Sequence, residues 1–212
     1  MKKAASQRNP VIALGLIVLL AIGLRLGVLA IYPAWLNEDR DAYLGIAKSI
    51  AEGRGYSVPE SNQPTAYRPP LYPLFLAGLL WLGATPITLG LGNVVMGAIS
   101  VGLTGWAGLR WWGIGPAIIA AAIVAVEPLG LANTPLLMTE TMATCLLAAW
   151  LVAAGATARG AMCSPNTVVG CEDTGRRSDG ALLAGFIAGL GTLCRPILLP
   201  TTLAGWVWLM YA

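Results

Sequence analysis

Long apolar segments separated by shorter polar ones make up most of this chain. Several of these apolar segments approach or exceed about 20 residues, the length that an α-helix needs to cross a hydrocarbon core about 30 Å thick. Because a helix satisfies its own backbone polar groups in lipid, the pattern predicts an all-α, polytopic transmembrane helical bundle. The predicted spans are residues 10–32, 87–108, 112–126, 135–158, 180–194 and 197–212.

A large polar segment follows the first predicted span, and two further helices are expected within it. The sequence "WLNEDRDAYLGIAKSIAEGRG" begins with acids and becomes amphipathic, which predicts a helix over residues 41–52 that lies along the membrane surface. The apolar run over residues 71–83 gives a helix only about 20 Å long, too short to cross the membrane. We therefore predict a large first outer loop, residues 33–86, that carries two juxtamembrane helices.

The basic residues predict the orientation of the chain. Lysine and arginine are enriched in cytoplasmic loops, and the basic residues at the beginning of the chain place the N-terminus in the cytoplasm. If residues 71–83 do not span, Arg110 and the basic loop over residues 159–179 also lie in the cytoplasm. This topology predicts a multi-pass protein of the cell (inner or plasma) membrane, with the 33–86 loop on the outer face.

Composition narrows the chemistry that the chain can perform. Only 11% of its residues are charged, about half the fraction of a soluble domain, and no basic tract indicates a nucleic-acid partner. The sequence has no histidine, so acid–base chemistry would require carboxylates, lysine, tyrosine or cysteine. Cys163 and Cys171 share one polar loop, where a disulfide and two free thiols both fit the sequence.

The predicted outer loop contains two candidate functional residues. Asp39 directly precedes the amphipathic helix, so it is either the helix N-cap or a functional acid. Capping by Asp39 leaves Glu38 and Asp41 unexplained, although an acid in the first turn, such as Asp41, also favours the helix dipole. Arg68, in "AYRPPLYP", is expected at the membrane surface, where a guanidinium either binds a phosphate or extends to lipid headgroups.

Three charged residues fall within or at the ends of apolar segments: Arg25, Glu140 and Arg195. A charge in the membrane is costly and usually faces the bundle interior or a cavity, so each is a candidate functional residue. We expect Glu140 roughly one turn into its helix. The alternative is a purely structural ion pair, for example between Arg25 and Glu140.

Taken together, several motifs resemble a known family. "DRDAYLGIA", "GRGYS" and "AYRPPLYPLFLA", followed by "LLMTETMATCLL" and "GLGTLCRP", resemble the membrane glycosyltransferases of the GT-C fold. The most similar groups are the bacterial dolichyl-phosphate-mannose-protein mannosyltransferase-like and aminoarabinose-transferase-like proteins. Members of that family are usually longer, so we expect this chain to be an N-terminal fragment of a longer protein.

The resemblance implies an activity. Family members transfer a sugar from a polyprenyl-phosphate donor to an acceptor, with inversion at the anomeric carbon. The acceptor here, whether protein, lipid or glycan, is not indicated by the sequence, and neither is a cofactor. Some relatives carry an acid two residues before the double proline; this chain lacks it, which counts against the metal-binding role found in those relatives.

The resemblance also assigns roles to residues. The spacing Asp39-x-x-x-Tyr43-x-x-x-Ala47 matches the family pattern and implies that Asp39 is the catalytic residue. The further implied candidates are Glu38 as a second carboxylate; Arg68, Arg195 and Tyr67 for the lipid phosphate; and Glu140, Arg25 and Tyr43 as supporting residues.

Two other interpretations fit the sequence. A transporter or channel subunit would use Arg25, Glu140 and Arg195 along an ion path, although the chain lacks the paired broken helices of two matching halves. The other interpretation is a truncated, inactive member of the glycosyltransferase family.

Overall fold

The computed structural model describes residues 2–59, 61, 63–161 and 174–211. This part of the chain is helical and has no strand, which confirms the predicted all-α class for these residues. Cys163 and Cys171 lie outside the described residues. The helices are α1 Lys2–Ile31, α2 Tyr43–Ala51, α3 Leu71–Trp81, α4 Pro86–Trp111, α5 Ile114–Val126, α6 Pro128–Ala132, α7 Thr139–Ala161, α8 Thr174–Cys194 and α9 Leu198–Tyr211, with a 3-10 helix at Pro33–Asn37.

Three apolar helical segments among the described residues are long enough to cross a membrane: Pro10–Ile31, Pro86–Trp111 and Thr139–Ala156. They coincide with three of the predicted spans. The other three predicted spans correspond to the shorter apolar helices α5, α8 and α9, whose apolar parts have between 10 and 17 residues. The chain therefore has membrane-length helices, while the number of crossings stays a prediction.

Apolar side chains also cover the outside of the long helices. On α1 these include Val11, Leu16 and Leu19, each more than half exposed. Large exposed apolar side chains continue along α4, α5 and α8. Such a surface is unusual for a soluble monomer and is typical of helices that face lipid.

The short helix α3 has clear start and stop signals in the sequence. It begins directly after Pro69 and Pro70 and ends at Trp81, shortly before Gly83, whose φ of 80° is the left-handed conformation that glycine adopts easily. Its 11 residues give a length of about 17 Å. The helix predicted over 71–83 is therefore present, slightly shorter than expected.

The segment before α7 differs from the prediction. Residues 135–138 do not join that helix, because Pro128–Ala132 forms its own short helix and turns connect it to Thr139. Glu140 is consequently the second residue of α7. The expectation that Glu140 lies one turn into its helix was wrong: the carboxylate is at the helix end.

Helix α4 is the centre of the packing. It contacts α1, α5 and α7, while α7 packs against α8, and α2 packs against α3. Glycines allow close approach: a Cβ on Gly108 would lie 2.8 Å from the Cα of Ala117 on α5, the small-residue packing common between membrane helices. The largest buried cluster of the described residues joins α2 and α3 to the longer helices. It includes Leu36, Tyr43, Leu44, Tyr72, Leu76, Leu89, Val94 and Met142.

Candidate functional site

Asp39, four residues before the first residue of α2, caps the first turn of that helix. Its two carboxylate oxygens accept hydrogen bonds from the backbone N–H groups of Leu44, at 3.0 Å, and Gly45, at 2.6 Å. These N–H groups have no partner within the helix, and Ala42 at the helix boundary supplies no side-chain cap. The capping role that the sequence left open for Asp39 is therefore present in the structure.

The cap explains the glycine at position 45. A Cβ at Gly45 would lie 3.0 Å from the Oδ2 of Asp39 and 2.3 Å from the Cγ of Pro59. A larger residue would push both groups away from the helix. Asp39 remains exposed at its outer side, and because a carboxylate offers about four lone-pair positions, two bonds leave acceptor positions facing solvent.

Asp41, two residues from Asp39, holds Arg68 in place. The Nη2 of Arg68 lies 2.6 Å from the Oδ1 of Asp41, and its Nε donates to the backbone carbonyl of Asp41 at 2.9 Å. The guanidinium also lies over the rings of Tyr43, 5.3 Å from the centroid, and Tyr67, at 4.5 Å. Arg68 is thus fixed in position, and its side chain is 22% exposed.

Two tyrosines complete this site. The Tyr56 hydroxyl donates to the backbone carbonyl of Arg68 at 2.9 Å, which fixes the chain next to the double proline. The side chain of Thr139, at the start of α7, lies near the Tyr43 hydroxyl and favours its ionised form. Burial raises the pKa of Tyr43 and of Tyr56, and the nearby Arg68 cation opposes that rise in both.

A second ion pair lies at the start of α7. The Oε1 of Glu140 is 3.0 Å from the Nη2 of Arg195, so the beginning of α7 is joined to the residue after α8. The alternative pair between Arg25 and Glu140 was wrong. The Arg68 cation and the Glu140 carboxylate both act electrostatically on the Tyr43 hydroxyl, so Tyr43 lies near both ion pairs.

The remaining predicted residues have different surroundings. Glu38 is exposed, and its carboxylate accepts two hydrogen bonds from Arg40. Tyr67 is 77% exposed, and its ring supports Arg68. Arg25 is buried on α1 and lines a separate cavity with Glu140 and Arg195. Within the described residues, no three His, Cys, Asp or Glu side chains form a group that could hold a metal ion.

Sequence reasoning missed Asp41 and Tyr56 as parts of the site. The sequence indicates for Asp41 only a first-turn acid, and Tyr56 is part of the "GRGYS" motif. Both act by contacts with residues 12 to 27 positions away, which a local pattern does not reveal.

The site thus combines an anchored arginine, Arg68, with a helix-capping carboxylate, Asp39, which lies two residues from the Asp41 partner of that arginine. The resemblance to GT-C glycosyltransferases rests on the sequence motifs that contribute these residues. Comparisons with protein-family models, with curated proteins and with solved structures found no match for this chain.

Proposed function

We propose that this chain is a membrane glycosyltransferase that moves a sugar, a hexose or a pentose, from a polyprenyl-phosphate donor to an acceptor hydroxyl or phosphate at the outer face of the membrane. The observation that carries the proposal is the attachment of Arg68 to Asp41, two residues from Asp39. This contact ties a phosphate-binding cation to the segment that carries Asp39, a carboxylate with free acceptor positions.

The chemistry assigns one task to each group. Asp39 takes the proton from the acceptor hydroxyl, whose oxygen attacks the anomeric carbon. The bond between that carbon and the phosphate oxygen breaks, and its electron pair leaves with the phosphate. Attack from the face opposite the leaving phosphate inverts the anomeric carbon, and an acceptor phosphate needs no proton removed.

Arg68 stabilises the charge that develops on the leaving phosphate. A guanidinium has five N–H donors, and contacts with Asp41 engage two nitrogen atoms. Its other N–H groups are free to bind phosphate oxygens, while Asp41 and the two tyrosine rings hold its plane in place. Arg195 is the second candidate cation, since Glu140 engages one of its nitrogens and its side chain is 44% exposed.

The proposal requires α2 and α3 at the outer interface, six crossings and a cytoplasmic N-terminus. Cysteines introduced at Ser61 and Thr85 should both react with an impermeant reagent added outside intact cells, and a cysteine at Ser164 should be protected. Each is tested in a background in which the native cysteines are replaced. Labelling of position 164 with protection of position 85 would reverse the assignment.

Asp39→Asn is the central test of catalysis. Asparagine is as good a cap as aspartate in general, although here it keeps one acceptor where aspartate uses two, so a loss of about 1 kcal/mol of stability is expected. Removing a general base typically costs about 10²–10⁴-fold in turnover. Turnover is measured as transfer from radiolabelled polyprenyl-phosphate sugars in membranes containing the longest natural form of the protein.

Arg40→Gln is the matched control, since the exposed Arg40 adjoins Asp39 and pairs with Glu38; its turnover should stay within a few-fold of the parent. Arg68→Ala should weaken donor binding, and Arg68→Lys should restore it only in part because lysine lacks the planar fork. Near-normal turnover of Asp39→Asn in an active protein would leave Asp39 as a cap alone.

A transport subunit is the second candidate function, favoured by the charged residues Arg25, Glu140 and Arg195 around one cavity. It predicts ion flux in proteoliposomes that Glu140→Gln abolishes. The glycosyltransferase proposal predicts no such flux and a transfer activity that depends on Asp39.

A further inference from the structure

A cavity of about 420 Å³ lies among α1, α4, α5 and α7 and reaches the segment between α8 and α9. Its size is within the range of small-molecule sites. Four ionisable residues line it: Arg25, Glu127, Glu140 and Arg195. The remaining lining is mostly apolar and includes Ile123, Val124, Leu129, Leu147, Ile197 and Leu198.

Arg25 is the charge in this cavity without a carboxylate partner. It is 3% exposed, and its Nε has no hydrogen-bond partner. The hydrogen bond that its guanidinium makes is one of 3.4 Å, to the carbonyl of Ala21. No carboxylate of the described residues lies within 4.0 Å of its nitrogens. A buried guanidinium in these surroundings needs an acceptor.

The two acids around the cavity make their contacts with groups other than Arg25. The carboxylate of Glu127 accepts hydrogen bonds from the backbone N–H groups of Leu129 and Gly130, at the start of α6. Glu140 pairs with Arg195 through its Oε1, while its buried Oε2 has no hydrogen-bond partner. Glu127 acts on Arg25 electrostatically without an ion-pair contact, so Arg25 is the cation of the cavity whose N–H donors lack an acceptor, and these donors suit a single oxyanion.

The lining indicates how such a ligand enters. Ile123, Leu129 and Ile197 line the cavity and are each at least 60% exposed, on a protein whose exposed apolar surface is typical of helices that face lipid. An opening rimmed by these side chains admits an apolar chain from the bilayer. A small water-soluble anion would gain nothing from most of this lining.

We propose that the cavity binds a single-chain amphiphile with one negative charge, its oxyanion on Arg25 and its chain among the apolar residues. A fatty-acid carboxylate and the phosphodiester of a lysophospholipid share this chemistry. The proposal is independent of sugar transfer, because neither Asp39 nor Arg68 lines the cavity.

The test uses the full chain purified in a non-ionic detergent, with dansyl-undecanoic acid as the fluorescent probe. Dodecanoate and lysophosphatidylglycerol compete separately, and dodecanol has the chain without the charge. At least one anion should displace the probe at least about tenfold more strongly than dodecanol, and the stronger one identifies the source. Absence of saturable probe binding, or equal displacement by acid and alcohol, would overturn the proposal.

Three variants locate the binding. Arg25→Met should weaken probe binding at least about tenfold. Thr144→Phe should do the same with the charge kept, because Thr144 is an exposed residue of the lining and a phenyl ring there fills the space. Arg110→Met removes an exposed arginine of α4 that does not line the cavity, and it should leave binding unchanged. If Arg25→Met does not fold, Thr144→Phe decides, and undiminished binding in it refutes the site.

Discussion

Asn93 joins the short helix α3 to the other helices, and its replacement should lower the stability of the fold. The residue is 1% exposed on α4. Its Nδ2 donates to the carbonyls of Thr134, at 3.1 Å, and Leu136, at 3.4 Å, in the turns before α7. Its Oδ1 accepts the hydroxyl of Tyr72 on α3 at 3.3 Å. One side chain thus ties three segments together.

The expected cost follows from the groups left without partners. Asn93→Ala leaves the Thr134 carbonyl and the hydroxyl of Tyr72, which is 0% exposed, without their partner. The Leu136 carbonyl keeps the backbone N–H of Met138. A stranded buried group costs about 1–3 kcal/mol in water-soluble proteins, whereas hydrogen bonds between membrane helices average about 0.6 kcal/mol. Because Asn93 and Tyr72 join α3 to α4, we expect Asn93→Ala to lower the free energy of unfolding by about 2–3 kcal/mol.

Tyr72→Phe leaves a single acceptor, the Oδ1 of Asn93, and should cost about 1 kcal/mol. In the double variant the two losses overlap, so the combined cost should fall short of the sum by about 0.6–1 kcal/mol. The assay is reversible unfolding in mixed detergent micelles, followed by circular dichroism.

Thr104→Val is the matched control on the same helix. The Thr104 hydroxyl bonds the carbonyl of Ser100 within α4, so its loss should cost less than about 0.5 kcal/mol. If the losses of unfolding free energy in Asn93→Ala and Tyr72→Phe are strictly additive in the double variant, the 3.3 Å hydrogen bond between Tyr72 and Asn93 contributes nothing. A cost for Asn93→Ala equal to that of Thr104→Val would refute the tie between segments.

Two further expectations concern packing and pH. Gly97→Ala places a Cβ 2.1 Å from the Nε of Arg25 and should destabilise by about 1–3 kcal/mol, whereas Gly102→Ala, with its nearest neighbour at 3.8 Å, should be neutral or stabilising; equal costs in the same unfolding assay would contradict this. The raised pKa of Tyr43 and of Tyr56 means that above pH about 10 the folded state binds more protons than the unfolded state, so stability falls as pH rises. In a titration followed by phenolate absorbance, Tyr43→Phe and Tyr56→Phe should each remove a tyrosine that ionises above pH about 10. Removal of a tyrosine that ionises at pH about 10 would contradict the raised pKa.

The features that the sequence predicted well depend on neighbouring residues. The double proline and Gly83 determine where α3 begins and ends, and apolar length identifies α1, α4 and α7. The start of α7 was misplaced because the apolar pattern continues through residues 128–138, while Pro128 and the cap by Glu127 start a separate short helix there.

The pairings of charged side chains could not be predicted in the same way. Asp41 meets Arg68 across 27 positions, and Glu140 meets Arg195 across 55, because the helices between them bring the ends together. The burial of Arg25 depends on Gly97 of α4, whose missing side chain makes room for the guanidinium. A single sequence shows that a charge in an apolar segment is costly, but it does not identify the residue that pairs with that charge.

The spacing between Asp39 and Tyr43 has a structural reason of its own. An acid four residues before the first residue of α2 reaches the two N–H groups at the second and third positions of the helix. That first residue, Tyr43, then contacts Tyr72, Arg68 and Thr139. The motif is therefore sufficient to build a capped helix even without catalysis. The same cap fixes the Asp39 carboxylate two residues from Asp41, the partner of Arg68, with acceptor positions open to solvent. Capping and proton transfer use different lone pairs of one group, so only turnover, measured at matched stability, separates an enzyme from a scaffold.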